Sequence, residues 1–236
     1  PRIDSYASGS RLWWAAAMGG RIEGGIQSGK WEPPFRSYHD GMIKGIRLEA
    51  GRYGRRAVIV APWSNSMLAT LVSAGIAELE LNIGKGWRGH DLGFLAALPQ
   101  LQSFRILDQT AKSVEPMHHL HALRELQVDT YCGTGIRFSE FPMLEDCALS
   151  WRAKSESLFE CTTLKRLMLG EFKGTDTSKF TTLVNLEALQ ILNSSVKNLY
   201  GLARLTKLRS LRLGLLRRLA SLDGIETLLA LEELNI

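Results

Sequence analysis

Apolar and polar positions from residue 76 onward follow one recurring phrase: apolar, two variable residues, apolar, one variable, apolar. Copies start at Ile76 (IAELEL), Leu101 (LQSFRI), Leu123 (LRELQV), Leu144 (LEDCAL), Leu164 (LKRLML), Leu186 (LEALQI), Leu208 (LRSLRL) and Leu231 (LEELNI). The starts are 25, 22, 21, 20, 22, 22 and 23 residues apart. Alternation inside the phrase predicts a short strand. Its return at a fixed period predicts a solenoid of stacked rungs. Between phrases the apolar residues step by three, best seen in Val196, Leu199, Leu202, Leu205 and Leu208. That step suits a 3₁₀ or extended return segment better than an α-helix. The expected class is α/β, with a curved parallel sheet on the concave side and short return segments on the convex side.

Upstream the pattern changes. Ile43, Ile46 and Leu48, then a Gly-containing loop, then Ala57–Ala61 predict a hairpin over residues 42–61. Val58 and Val60 lie 21 residues before Leu79 and Leu81, so the second strand reads as a ninth, degenerate rung. Met67, Leu68, Leu71 and Val72 recur at helical spacing between Ser64 and Gly75 and predict one helix on the convex side. Residues 1–40 are rich in Gly and aromatics, with Ser10 placed to cap a short helix; they are expected to wrap the first rung. The organisation is therefore a capping region over residues 1–75 and an array of about eight repeats over 76–236.

The stretch Leu186–Ile236 (LEALQILNSSVKNLYGLARLTKLRSLRLGLLRRLASLDGIETLLALEELNI) resembles the 22-residue class of leucine-rich repeats. That class includes bacterial internalins and the repeat-type regulatory subunit of protein phosphatase 1. The resemblance covers residues 76–236 and implies a leucine-rich-repeat solenoid; the function of such proteins varies with the surface they carry. The chain departs from the class at one slot. The Asn that usually opens the turn after the strand is replaced by Gly84, Gln109, Tyr131, Arg152, Phe172, Ser194 and Leu216. Its turns must therefore satisfy their backbone groups by other means.

The apolar positions of each phrase point inward, and the variable ones form the concave face. The central column reads Glu80, Arg105, Gln127, Ala148, Met168, Gln190, Arg212, Asn235. The first rungs are acidic, and the middle rungs place Leu107, Met168 and Leu192 where water is expected, with Trp151 and Phe172 just past the strand. An apolar centre with an aromatic anchor and a charged rim is the make-up of a protein-binding hot spot. The expected contacts are Leu107, Trp151, Met168, Phe172 and Leu192, with Gln190 among them. Glu78, Glu80, Arg105, Asp129, Arg166 and Arg212 are expected to steer the partner. The expected function is non-catalytic binding of a protein on this face. One alternative is a substrate-recognition repeat domain of a larger enzyme or secreted effector. The other is a nucleic-acid or anionic-surface binder using Arg2, Arg11, Arg21, Arg36, Arg47, Arg52, Arg55 and Arg56.

Charge bears on that last alternative. The chain of 236 residues carries +5. Residues 1–75 hold 10 Lys and Arg against 5 Asp and Glu, so the remainder, with 19 of each, is neutral. A neutral array does not suit a phosphate backbone, and nucleic acid is not the expected partner. The three cysteines lack metal or disulfide spacing, and Cys147 and Cys161 sit in core slots. A reducing, cytoplasmic setting is expected, with a secreted effector as the alternative. The His118, His119, His121 cluster lies on a convex segment and is not expected to bind metal. Gly19–Gly25 has no following Gly-Lys-Ser/Thr, so no phosphate loop is expected. No catalytic spacing, cofactor motif, small-molecule site or membrane-spanning run is expected. The chain opens on Pro and stops inside a strand, which reads as an excerpt of a longer protein, or as an edge open to strand pairing with another chain.

Overall fold

The structure is a computed structural model that describes residues 41–236. The expected Ser10-capped helix, the wrapped Trp-rich segment and Arg2, Arg11, Arg21 and Arg36 lie outside the described residues. Eleven strands form one sheet in chain order. Strands β1 (Gly41–Ile43), β2 (Ile46–Ala50) and β3 (Arg55–Ile59) run antiparallel. From β3 onward every pairing is parallel, through β4 (Glu78–Asn82), β5 (Ser103–Leu107), β6 (Glu125–Asp129), β7 (Asp146–Ser150), β8 (Arg166–Gly170), β9 (Ala188–Leu192), β10 (Ser210–Gly214) and β11 (Glu233–Asn235). Helix α1 (Asn65–Ser73) links β3 to β4 and buries Met67 and Leu71.

The eight phrases are the strands β4–β11, stacked without offset. Leu79, Phe104, Leu126, Cys147, Leu167, Leu189, Leu211 and Leu234 stand opposite one another in consecutive rungs. All but Leu234 are buried. A one-residue slip would turn this whole column to the other face, so the apolar pattern fixes the register. The return segments contain 3₁₀ turns, for example Glu115–His119, Glu156–Glu160 and Tyr200–Arg204. In the best copy Leu202, Leu205 and Leu208 each donate to the leucine three residues back, at 2.8, 2.8 and 2.9 Å. Spacing by three thus buries each leucine and closes the turn. The fold is a leucine-rich-repeat solenoid.

Two expectations need correction upstream. Ile43 does not lead directly into the hairpin: Lys44 and Gly45, at φ 50° and 81°, make a two-residue turn that sets β1 apart from β2. The ninth rung exists, one residue out of the expected register. Ala57 faces Leu79 and Ile59 faces Leu81, so these two take the inward slots, while Val58 stands opposite Glu80.

The missing asparagines are replaced individually. Arg152 is buried and donates through Nη2 to the Thr130 carbonyl and Oγ1 at 3.2 and 2.9 Å, and through Nη1 to the Cys132 carbonyl at 3.4 Å. Ser194 Oγ donates to the Phe172 carbonyl at 2.7 Å. The backbone ladder also continues one residue past three strands, where Trp151, Glu171 and Asn193 donate to Gly170, Leu192 and Gly214 at 2.8 Å each.

The residues just before the strands carry a second pattern, which emerges only once the rungs are aligned. Arg124, Glu145, Lys165, Glu187, Arg209 and Glu232 alternate in sign over six consecutive rungs. Arg124 and Lys165 pair with Glu145 at 2.7 and 3.5 Å, and Arg209 with Glu232 at 2.6 Å.

Candidate functional site

The sheet face away from the return segments is the concave face, and its two halves differ. Over β4–β6 it is polar and closed. Glu78 and Glu80 are each only 3% exposed, and Asp129 6%. These three were expected as open steering charges and are instead enclosed groups with internal partners. Glu80 pairs with Arg56 of β3 and with Lys85 at 2.5 Å. Burial pushes its carboxyl up, and the two cations outweigh that and hold it below the usual range. Glu78 Oε1 accepts the Tyr53 backbone N–H at 2.6 Å. Asp129 Oδ2 accepts from Gln109 at 3.3 Å. Burial first, and then the charge of Glu171, push Asp129 up to about 6.

The loop between β2 and β3 leans over this half. Arg52 Nη1 reaches Asp146 Oδ2 at 2.5 Å, 94 residues away in sequence. β3 and β7 are four strand spacings apart, about 19 Å in a flat sheet. An arginine side chain cannot span that, so the loop crosses the upstream ends of β4–β6. The Tyr53 ring lies 5.1 Å from the Arg52 guanidinium and 5.7 Å from that of Arg124. Gly51 makes the approach feasible, because a Cβ there would meet the Glu78 carboxylate at 2.4 Å.

Over β7–β10 the face is open and low. Met168 stands half-buried in the middle of β8, with Ala148 opposite it on β7 and Gln190 on β9. Ala188 faces Arg166, and Leu192 lies between Gly170 and Gly214. Met168 and Leu192 therefore project from a floor of Ala148, Gly170, Ala188 and Gly214. The arginines around them are already engaged. Arg105 bonds Glu125, Arg166 bonds Asp146, and Arg212 bonds Glu233 at 2.7 Å. Gln190 and Leu107 are half-buried, Leu107 at the end of β5, two rungs from β7.

Of the two aromatic residues expected as contacts, one is core. Phe172 is 3% exposed and packs against Phe159 and Phe180. Glu171, at φ 58°, turns the chain back under the sheet and directs Phe172 inward. Trp151 is half-buried, edge-on to Phe172 with ring centroids 5.1 Å apart. It lies one residue past β7, in a column continued by Glu171, Asn193 and Leu215. Leu215 is 46% exposed and holds φ 52°, a costly conformation for a bulky residue. Nothing in the sequence pattern marked Leu215; its slot shows only in the backbone.

The other sequence candidates are internally engaged. His118 Nδ1 donates to the Glu115 carbonyl and Nε2 accepts the Arg137 N–H, both at 3.0 Å. Burial, with Arg137 nearby, pushes its pKa down. No group of three or more metal-ligating side chains occurs among the described residues. Cys132 is half-buried and Cys147 and Cys161 are buried, all as free thiols. Among the basic residues of the capping region, Arg47 pairs with Glu49 at 3.3 Å and Arg55 donates to the Ala74 carbonyl at 3.1 Å. No described helix is long and apolar enough to cross a membrane.

No protein-family model matches the chain, and no curated protein is similar to it in sequence. Solved structures are similar to it. An internalin C2 from Listeria monocytogenes str. 4b F2365 matches with a TM-score of 0.60 at 17% identity, over 76% of this chain and 79% of that one. An internalin (inlF) from the same strain matches with a TM-score of 0.58 at 17% identity, over 73% of this chain. The chain covers only 51% of that second structure. At such identity the likeness shows the leucine-rich-repeat fold alone.

Proposed function

We propose that this chain is a non-catalytic protein-interaction module, and that it receives its partner on the open half of the concave face. One observation carries the reading. On β8 and β9, Met168 and Leu192 project beside Ala148, Gly170 and Gly214, with Gln190 the one long side chain next to both, so a partner's backbone and side chains reach them from the side of β7 and from the downstream ends of β8–β10. Trp151, at the downstream rim, adds an aromatic flank. Methionine suits such a place, because its unbranched thioether adapts to the surface it meets. The surrounding charges are spent in internal pairs, which supports recognition through apolar contact more than through ionic attraction.

Affinity capture with mass spectrometry tests this on the whole chain. Met168→Glu is expected to lose the proteins captured by the wild type, while Lys112→Glu, at an exposed position in a return segment, keeps them. Circular dichroism of both variants should match the wild type. Recovery of the same proteins by Met168→Glu refutes the concave-face reading.

A further inference from the structure

Gln127 occupies the centre of β6 in the central column of the concave face. It is 3% exposed, and neither Oε1 nor Nε2 has a hydrogen-bond partner among the described residues. Asp146 Oδ1, Arg124 Nε and the Tyr53 hydroxyl are also buried and unpartnered. They share one corner. Arg124 immediately precedes β6, Asp146 opens β7 opposite Glu125, and the Tyr53 ring faces Arg124. Buried polar groups are nearly always paired, and an unmet one is a net loss of stability. A whole amide left unmet, beside three further unmet atoms, indicates a complement that the described residues do not contain.

We propose that Gln127 binds the main chain of an extended segment of the partner protein. Its Nε2 donates to a backbone carbonyl and its Oε1 accepts a backbone N–H, with Asp146 Oδ1 free to accept a second N–H. Hydrogen-bond complementarity selects this occupant. The charges at the corner are engaged in internal pairs, Arg105 with Glu125, Arg124 with Glu145, and both Arg52 and Arg166 with Asp146, which leaves one positive charge in excess. That excess disfavours a cation, and the choice between an anion and a neutral group rests on the amide. The amide needs a donor and an acceptor together. A carboxylate would meet only Nε2, and an ammonium only Oε1. In an extended chain the N–H and C=O of one residue point to the same side, as in a sheet ladder, and present both. Ala148 stands beside Gln127 in register, and the absence of a long side chain there lets a backbone approach. Access requires neighbouring side chains to part, and Arg52, with its side chain 51% exposed, is one able to swing away.

This inference rests on the concave-face reading and is tested so that the two fail separately. The probe is a twelve-residue peptide selected from a random phage-displayed library on the whole chain. Binding of the synthetic peptide is measured calorimetrically to the wild type, Gln127→Leu and Met168→Glu. Gln127→Leu is expected to weaken binding tenfold or more and to melt at or above the wild-type temperature, whereas a merely structural glutamine would melt lower on replacement. N-methylation of one peptide nitrogen should weaken wild-type binding by a similar factor and add no further loss in Gln127→Leu. Wild-type affinity in Gln127→Leu, with binding lost in Met168→Glu, overturns this proposal and leaves the concave face standing. Wild-type affinity in both variants overturns both readings. A peptide Asn or Gln whose replacement abolishes binding, with every N-methylated form still bound, assigns the contact to a side-chain amide and overturns the main-chain assignment. Failure to select any peptide counts against the proposal, since every peptide carries the group it requires.

Discussion

Arg152→Ala is the most informative single perturbation of the fold. Arg152 fills the slot of the missing asparagine between β7 and the next return segment, and it is 8% exposed. Truncation removes the donors to Thr130 O and Oγ1 and the longer contact to Cys132 O. A hydrogen bond from a charged donor contributes about 1.5–3 kcal/mol. Water entering the vacated space restores part of the two stronger bonds, so a loss of about 3 kcal/mol is expected. Arg152→Met should lose nearly as much, since it keeps the stem and removes the head. Asp129 adds a pH signature. The charge of Arg152 works against the burial that pushes this carboxyl up, so the variants should lose more at pH 8, where Asp129 is ionised, than at pH 5. Urea unfolding followed by far-ultraviolet circular dichroism and by tryptophan fluorescence measures this. Coincident transitions allow a two-state free energy to be taken. A loss below about 1 kcal/mol in both variants would refute the assignment of Arg152 as the turn's hydrogen-bond donor.

Three further outcomes are expected. Asp129→Asn should stabilise the protein at high pH: the folded carboxyl, at about 6, sits above the ordinary value of 3.8, so its favourable contribution is present below about 4 and lost as pH rises through 6. The gain should be about 3 kcal/mol at pH 8 and near zero at pH 4, and equal melting curves for the two proteins at pH 8 would refute it. Gly201→Ala should destabilise by about 1–3 kcal/mol, because its Cβ would stand 1.8 Å from the Thr177 carbonyl oxygen of the preceding rung; an unchanged melting temperature would show that this spacing yields freely. Iodoacetamide at neutral pH should alkylate Cys132 well before Cys147 and Cys161. Burial raises the Cys132 thiol, but Thr130, Thr134 and the Arg152 charge outweigh it and bring it below the ordinary value, while burial holds Cys161 up to about 11 and Cys147 higher. Equal labelling of all three, read by mass spectrometry, would contradict that order.

The rungs, the 3₁₀ returns and helix α1 are legible in the sequence because each is a local periodicity with one physical cause. The exposed residues of the site are legible only in part. Phe172 shares its slot with Arg152 and Ser194, which are buried, but also with Tyr131, which is 66% exposed, so the asparagine alignment alone does not fix its direction. Counting from the strand end alone places it in solvent. Glu80 reads as a steering charge until β3 is aligned with β4 and Arg56 comes beside it. A one-residue error in that register, Val58 for Ala57, hides the pair. The Arg52–Asp146 contact crosses 94 residues and depends on how the loop leans, which no local pattern encodes. Gln127 reads as an ordinary polar residue of an exposed column, and only the folded face shows that both ends of its amide are unmet.

The alternating charges ahead of the strands make the array even-numbered in its logic. Excising the rung of β8 would bring Glu145 beside Glu187, and excising that of β9 would bring Lys165 beside Arg209. Removing two adjacent rungs restores an opposite neighbour at every step. Each like pair costs only a few tenths of a kcal/mol at such exposure, too little to unfold the chain but enough to disfavour one length over the next. Shortened or lengthened forms should therefore tolerate changes of two units better than changes of one. In charge, the repeating unit of this part of the solenoid is a pair of rungs, although each rung folds to the same shape.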